Sequence, residues 1–303
     1  MTVPRRQQVS LDHTPYYHCT SRCVRRAFLC GNDPYSGKNY QHRKRWLEQR
    51  LVVLSKVFAI DLLAYAIMSN HYHLVVRVNT DQAERWSNED VADRWQAIYQ
   101  LPEVVTADLI GRWRSRLSDL SWLMRCINEP LARAANREDQ CKGRFFEGRF
   151  KCQALLDETA LLKCMAYVDL NPIRAALSPT PESSDFTSIK ARIEGNDAHL
   201  APFVCEPPGR AYAIPLRQLE YLELVDWSGR RLSRSKRGRI AAPLPPILQR
   251  LGIEGDAWVS EMTHYGRWYY RAVGSLERLE RYCQHLGQQW LKGMARTERV
   301  PAQ

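Results

Sequence analysis

The sequence lacks any apolar run of the roughly 20 residues needed to cross a bilayer. Its first residues, MTVPRRQQVSLDHTPYYHC, are basic and polar, and they lack the apolar segment of a secretory signal. No internal repeat and no long low-complexity tract is present. We therefore expect a cytoplasmic globular protein with no membrane partner, and the 45% hydrophobic content of the 303 residues is sufficient for a core.

Paired cysteine motifs are also missing. The nine cysteines include no C-x-x-C pair, and a disulfide framework is not expected in a cytosolic chain of this length. Cys19, Cys23 and Cys30 are close enough in sequence to suggest zinc, but their spacing fits no standard zinc site. We interpret the cysteines as small buried side chains.

Acidic residues are too few to balance the basic ones. Lysine and arginine number 44 against 33 aspartates and glutamates, which gives a formal net charge of +11 at pH 7. A positive surface attracts polyanions, and arginine binds phosphate through paired hydrogen bonds, so nucleic acid is the first partner to consider. The charge alone is equally compatible with a soluble protein that has no such partner.

The order of the predicted elements indicates an α+β fold with a mainly antiparallel sheet, helices on one face and the other face available. The stretch SPTPESSDF at 178–186 is typical of a linker, so we predict a domain at 1–185 and a mainly helical, basic extension at 186–303. The elements predicted before the linker are a strand within 16–30, a helix at 42–57, strands at 61–70 and 71–78, helices across 80–140, a strand at 143–156 and a helix at 157–171.

A histidine pair opens the strand HYHLVVRV at 71–78. Residues two apart in a strand point to the same face, so His71 and His73 share a face with Arg77, opposite the apolar side chains that should form the core. Two neutral imidazoles at this spacing can chelate one divalent cation. Two ligands are too few for a stable site, and an ordinary pair of strand histidines is the alternative.

A tyrosine one helical turn from an asparagine marks the helix that Asp157 caps. Lys163, Tyr167 and Asn171 are spaced four apart and share one face of that helix. A phenol can act as a nucleophile, an amide oxygen can bind a hard cation, and Lys163 could favour the phenolate through its charge. Alternatively, Tyr167 is a half-buried packing residue and Lys163 is solvated.

Three segments together resemble a known family, namely NHYHLVV, GRFFEGRFKCQAL and YVDLNPIRAAL. The set is similar to the REP-associated tyrosine transposases, which belong to the single-tyrosine HUH superfamily of DNA-nicking enzymes. The resemblance covers roughly residues 12–200. It implies a ferredoxin-like antiparallel sheet, the HUH nuclease fold, and an enzyme that nicks and rejoins single-stranded DNA at hairpin-type repeat elements through a 5′-phosphotyrosine intermediate. Phe146 departs from the family pattern, where tryptophan is common.

The resemblance also implies roles for particular residues. Tyr167 matches the nucleophile, and His71 and His73 match the metal-binding histidines. Asn171 matches the polar residue that completes the metal site. The ligand types favour Mg²⁺ or Mn²⁺, and Lys163 is a candidate for tuning the pKa of the phenol.

Basic residues near these segments are candidate contacts to single-stranded or hairpin DNA. Aromatic side chains at 16, 17 and 227 could stack on unpaired bases, although buried aromatics are commoner than stacking platforms. The basic run at 227–239 could form a second clamp on DNA, or it could equally be a solvated basic loop. The candidate DNA contacts are Arg22, Arg25, Arg26, Arg77, Arg149, Lys151, Arg230, Arg231 and Arg234.

Three other interpretations stay open from the sequence. The chain could bind hairpin DNA or RNA without cutting it, it could be a metal-dependent hydrolase in which water attacks, or its basic C-terminal half could carry the main function. The sequence leaves open whether the protein acts as a monomer or as a homodimer that exchanges the tyrosine helix.

Overall fold

The computed structural model describes most of the first two thirds of the chain and shorter segments after it. The described residues are 8–24, 31, 37–204, 212–232, 263, 265, 269, 271–292 and 294. The strands within them are β1 (Tyr16–Arg22), β2 (Ile60–Ile67), β3 (His71–Val78), β4 (Lys151–Leu155) and β5 (Ala272–Val273). The helices within them are α1 (His42–Val57), α2 (Thr80–Arg85), α3 (Asn88–Gln96), α4 (Ala107–Leu117), α5 (Leu120–Glu138), α6 (Glu158–Asp169), α7 (Asn171–Arg174), α8 (Ser188–Ile193), α9 (Gln218–Leu232) and α10 (Leu276–His285), with a 3₁₀ turn at Pro181–Ser183.

The five strands form one sheet in the order β2-β3-β1-β4-β5. The first four strands are antiparallel to their neighbours, and β5 runs parallel to β4. Strands β1 to β4, with helices between β1 and β2 and between β3 and β4, have the β-α-β-β-α-β chain order of the ferredoxin-like fold. The predicted α+β class is confirmed.

One face of the sheet is mostly apolar. Tyr72, Leu74 and Val76 of β3 are buried in one cluster with Leu47 and Leu51 of α1. Helix α5 packs beside α1 on this side and adds Ile127 and Leu131 among others. Alternating side chains of β3 therefore fill the core as the sequence pattern predicts.

Helices also cover part of the second face, which differs from the expectation of helices on one face only. Val75 of β3 and Leu155 of β4 lie in a second buried cluster with Leu161 and Met165 of α6 and with Leu224 of α9. The reason is that the second face is also apolar in part, around Val75 and Leu155, and apolar surface on both sides of a sheet needs cover on both sides.

Helix α6 begins at a side-chain cap and ends before a proline. Asp157 Oδ1 accepts a hydrogen bond from the backbone N–H of Ala160 at 2.7 Å. The helix ends at Asp169, two residues earlier than predicted, and Pro172 lies in the first turn of α7, where its missing N–H costs nothing. Tyr167 thus occupies the last turn of α6.

The predicted strand at 143–156 is shorter than expected. Only Lys151–Leu155 forms β4, while residues 143–150 make a loop that touches the sheet through an isolated bridge between Cys23 and Phe146. Gly143 has a φ of +112°, which a strand cannot contain. The loop carries Arg149 to the edge of the histidine-bearing face.

Residues after 178 pack closely on the residues before them. Ile67 N–H donates to the carbonyl of Phe186 at 3.1 Å, Thr187 bridges to Ala66, and β5 extends the sheet next to β4. These contacts cross the boundary placed at residue 185, and the division into two domains stays a prediction. Within the described part of the chain, every helix is too short or too polar to traverse a lipid bilayer.

Candidate functional site

A cavity of about 280 Å³ lies on the second face of the sheet, next to the part that α6 covers. Polar and aromatic side chains from three strands, one helix, one loop and the C-terminal segment surround it. The lining residues are His18, Thr20, Arg22, His71, His73, Glu147, Gly148, Arg149, Lys151, Cys152, Gln153, Tyr167, Tyr265 and Tyr269.

Strand register brings the polar side chains together. In the β1–β3 ladder Arg22 pairs with His71 and Thr20 pairs with His73. In the β1–β4 ladder Thr20 pairs with Lys151, and Gln153 pairs with His18. Directly opposed residues of adjacent strands point to the same face, so these pairs form one continuous polar patch.

The His71 ring is oriented by the turn before it. Its Nδ1 lies 2.7 Å from Oδ1 of Asn70, and because an amide oxygen only accepts, the imidazole donates Nδ1–H and keeps its lone pair on Nε2. A hydrogen bond of this kind fixes the tautomer of metal-binding histidines.

The His73 ring is held by a second histidine that the sequence analysis did not single out. Its Nδ1 lies 2.9 Å from Nε2 of His18 and 3.2 Å from Oγ1 of Thr20, and the two imidazole rings stack with centroids 5.1 Å apart. His73 is only 6% exposed, and its Nε2 is buried with no hydrogen-bond partner among the described residues. Such an atom is uncommon in a folded protein and needs an explanation.

All three imidazoles are neutral at pH 7. Burial lowers the pKa of His18 to about 4, and burial together with the charge of Arg22 lowers the pKa of His71 to about 4. Burial, followed by the neighbouring histidines, holds the pKa of His73 well below its usual value. Neutral imidazole is the form that binds metal ions.

Tyr167 faces the histidines from α6. The centroid of its ring lies 5.9 Å from that of His73 and 6.2 Å from that of His18, both edge to face. Tyr265 stacks against it with ring centroids 4.6 Å apart, and the guanidinium carbon of Arg174 lies 4.5 Å from the Tyr167 centroid. The strand histidines and the distant tyrosine therefore meet in one chain.

Three exposed cations lie around the cavity, namely Arg22, Arg149 and Lys151. They come from β1, the 143–150 loop and the start of β4, so the fold gathers residues that are more than 120 positions apart. Glu147 also lines the cavity, so the charged side chains around it are positive on balance, which suits a polyanion whose phosphate approaches Tyr167.

Asn171 does not line this cavity. It follows Tyr167 by one turn, and its Nδ2 is buried without a partner among the described residues. Lys163 is half-buried and is also absent from the lining of the cavity. The roles predicted for both residues stay predictions.

The chemistry of the donors fits a divalent cation at the histidine pair, because two neutral imidazoles lie with their ring centroids 4.9 Å apart and one of them, His73, has a buried Nε2 without a partner among the described residues. No group of three or more His, Cys, Asp or Glu side chains that could hold a metal ion occurs in the described segments. Further ligands would have to be an amide, water or substrate oxygens.

Other predicted DNA contacts lie away from the cavity. Arg77 is six residues from His71, about 20 Å along an extended strand, and it pairs with Asp61 at 2.9 Å while its guanidinium covers the ring of Tyr212. Arg230 forms an ion pair with Asp226 on α9, and Arg231 lies near the ring of Trp227, 5.2 Å from its centroid. Arg25, Arg26 and Arg234 lie outside the described residues.

Two of the aromatic side chains considered for base stacking are buried. Tyr17 has no exposed surface and its hydroxyl is hydrogen-bonded to Ser10 and Thr14, while Trp227 is 8% exposed. They belong to the core, which was the alternative interpretation.

Sequence reasoning missed His18, Gln153 as its partner, and Tyr265. Alternation along β1 places His18, Thr20 and Arg22 on one face, which is a detectable signal, but the pairing of β1 with β3 is not visible in the pattern. No local signal marks Tyr265, because its position follows from packing against α6.

The site combines a phenol, neutral imidazoles and cations, which is a set suited to phosphodiester chemistry. One solved structure similar to the chain is described as "Structure of the REP associates tyrosine transposase bound to a REP hairpin". The two share 13% sequence identity with a TM-score of 0.41, and the match covers 70% of this chain and 100% of the other. No protein-family model matches the chain, and no curated protein matches it.

Proposed function

We propose that the protein is a metal-dependent endonuclease and strand transferase for single-stranded DNA, acting at hairpin-type repeats. The observation that carries the proposal is that Tyr167, His71 and His73 line the same cavity within one chain. The proposal rests on the side chains of this cavity and on the sequence motifs that they belong to.

In this proposal the three exposed cations around the cavity bind the DNA backbone. Arg22, Arg149 and Lys151 are exposed, and each can neutralise one phosphate while leaving base identity unread. In this proposal the cut strand is single, because a phosphate held within a duplex cannot bend toward a phenol inside a cavity.

Tyr167 is the proposed nucleophile. Its Oη forms a bond to phosphorus while the bond from phosphorus to the 3′-oxygen breaks; the phenol proton passes to solvent and the 3′-oxygen takes up a proton from solvent. The product is a 5′-phosphotyrosine and a free 3′-hydroxyl. A second 3′-hydroxyl reverses the step and joins strands without an added energy source.

His71 and His73 would hold the cation, Mg²⁺ or Mn²⁺, through their Nε2 atoms. When bound, the ion supplies positive charge for the non-bridging phosphate oxygens. We include Asn171 as the proposed third ligand, through its amide oxygen.

A labelling experiment tests the nucleophile. Hairpin DNA with a single-stranded flank, labelled at its 3′ end, is incubated with Mn²⁺ and the full chain, and the products are separated under denaturing conditions. The wild type is expected to carry the label covalently. In Tyr167→Phe the yield of this adduct should fall by at least about 1,000-fold, since no other group replaces the missing nucleophile. A tyrosine variant in the same cavity, Tyr265→Phe, serves as the matched control and should retain the adduct.

Two outcomes contradict the proposal. An adduct that persists in Tyr167→Phe identifies another nucleophile. Cleavage by the wild type without an adduct identifies water as the attacking group, and the protein is then a hydrolase.

A second candidate function is binding of hairpin DNA without cleavage. The observation that favours it is that Tyr265 covers one face of the Tyr167 ring, with centroids 4.6 Å apart. Retained hairpin affinity with no adduct in the wild type would select this candidate.

We further propose that a single chain suffices for the reaction, because Tyr167 lies next to His73 of the same chain, with ring centroids 5.9 Å apart. Mixing Tyr167→Phe with His71→Ala chains tests this. If helices are exchanged between subunits, the mixture regains the adduct; if each chain works alone, it does not.

A further inference from the structure

A chain of three side chains runs across the sheet along the wall of the cavity. Gln153 Oε1 lies 3.3 Å from Nδ1 of His18, and Nε2 of His18 lies 2.9 Å from Nδ1 of His73. The chain ends at His73 Nε2, the buried nitrogen without a partner among the described residues.

The amide oxygen at the start of the chain determines its direction. An amide oxygen only accepts, so His18 donates through Nδ1–H and keeps a lone pair on Nε2. That lone pair accepts from Nδ1–H of His73, which leaves the lone pair of His73 on Nε2. In the reverse direction His73 would carry a proton on Nε2, which would be a buried donor with no acceptor among the described residues and with no capacity to bind a metal.

Packing keeps the chain in place. His18 is 8% exposed and Gln153 is 6% exposed, and the rings of His18 and His73 stack within 14° of parallel. Thr20 Oγ1 lies 3.2 Å from Nδ1 of His73 and offers a weaker second acceptor on the same side of the ring. The tautomer and the orientation of His73 are therefore set by neighbouring side chains on the same face of the sheet, which also line the cavity.

We propose that His18 and Gln153 are positioning residues, which hold His73 in the tautomer that presents the Nε2 lone pair to a divalent cation. The inference deepens the proposed function and rests on it. Loss of an outer hydrogen-bond partner of a metal-binding histidine typically weakens metal affinity by about 10- to 100-fold.

Calorimetry with Mn²⁺ alone measures this effect on the full chain. His18→Phe keeps a ring of similar shape and removes the acceptor, so Mn²⁺ affinity should fall by about 10- to 100-fold. Gln153→Leu should cause a smaller loss, and Gln153→Glu should keep affinity within about threefold, because a carboxyl oxygen still accepts from His18. The matched control is His199→Phe, outside the cavity, which should bind Mn²⁺ as the wild type does.

Nitrogen NMR of the metal-free protein supplies a readout that a purely structural role would not change. The wild type should show His73 protonated on Nδ1, and Gln153→Glu should preserve this tautomer while Gln153→Leu populates the other one.

Two results overturn the inference while the wild type still binds Mn²⁺ and forms the adduct: His18→Phe binds Mn²⁺ like the wild type, or wild-type His73 carries its proton on Nε2. Absence of Mn²⁺ binding by the wild type overturns the metal part of the proposed function, and this inference falls with it.

Discussion

The two faces of β3 differ in what their buried atoms contact. Tyr72, Leu74 and Val76 point to a face where α1 and α5 surround them with apolar side chains. His71 and His73 point to the other face, where neighbouring polar groups provide a hydrogen-bond partner for Nδ1 of each ring. The first face is packed as a core, whereas the second carries a cavity.

The difference shows how a polar site is accommodated in a sheet. A buried polar group without a partner costs about 1–3 kcal/mol, so His18, His73, Thr20 and Gln153 satisfy one another. Among the described residues of this patch, Nε2 of His73 is the exception: it is a buried nitrogen without a partner, on a side chain that lines the cavity together with Tyr167. We interpret that exception as a position kept for a ligand.

The apolar face should determine stability, and Leu74→Ala tests this with the largest expected effect. Removing a fully buried leucine side chain should lower the free energy of unfolding by about 2–5 kcal/mol. Urea denaturation measures the loss. Mn²⁺ affinity of the folded variant should stay at the wild-type value, and a large drop in affinity would show that the two faces are not independent.

The polar face should determine activity, and His71→Ala tests it on the same strand. His71 is only partly buried and its partner Asn70 lies in a turn, so the free energy of unfolding should change by about 1 kcal/mol or less. Formation of the DNA adduct should fall by about 100-fold or more, because a proposed ligand is removed. Unchanged adduct formation would exclude His71 from the metal site.

The smallest expected effect is on DNA binding, and it should differ between the cavity end of the polar face and the end where Arg77 lies. Arg149→Ala and Lys151→Ala should each weaken hairpin binding. Each should also reduce, by about one, the slope of the logarithm of the binding constant against the logarithm of the salt concentration. Arg77→Ala should leave the slope unchanged, because this guanidinium is already paired with Asp61 and covers Tyr212. Titrations of labelled hairpin at several salt concentrations measure the slopes, and a reduced slope for Arg77→Ala would place DNA at that end as well.

Much of the architecture could be predicted from local pattern. Helix α1 and strand β3 have the predicted bounds, because helical spacing of leucines and strict alternation are signals contained within the element itself. The strand predicted at 143–156 is too long, because the alternation in this segment is typical of a strand although Gly143 has a positive φ and only Lys151–Leu155 forms β4. The sequence did not predict that helices cover both faces of the sheet, because this depends on which distant segments of the chain pack against it.

The site was predictable only in part. His71, His73 and Tyr167 belong to motifs that stand out in the sequence, and the structure brings them to one cavity. Arg77 shares the face of the histidines but lies too far along the strand to reach the cavity, since a pattern gives the face of a side chain and not its surroundings. His18 and Tyr265 enter the site through strand pairing and helix packing alone.

The sequence by itself determined which side chains of β3 share a face, because alternation is a property of every extended chain. It also determined the basic character of the protein and the spacing of its tyrosine motif. Only the tertiary structure decided that β1 lies between β3 and β4 and brings His18 behind His73, and that α6 places Tyr167 in front of it. These arrangements depend on the burial of apolar surface by residues that are distant in sequence. No local stretch of the chain contains that information.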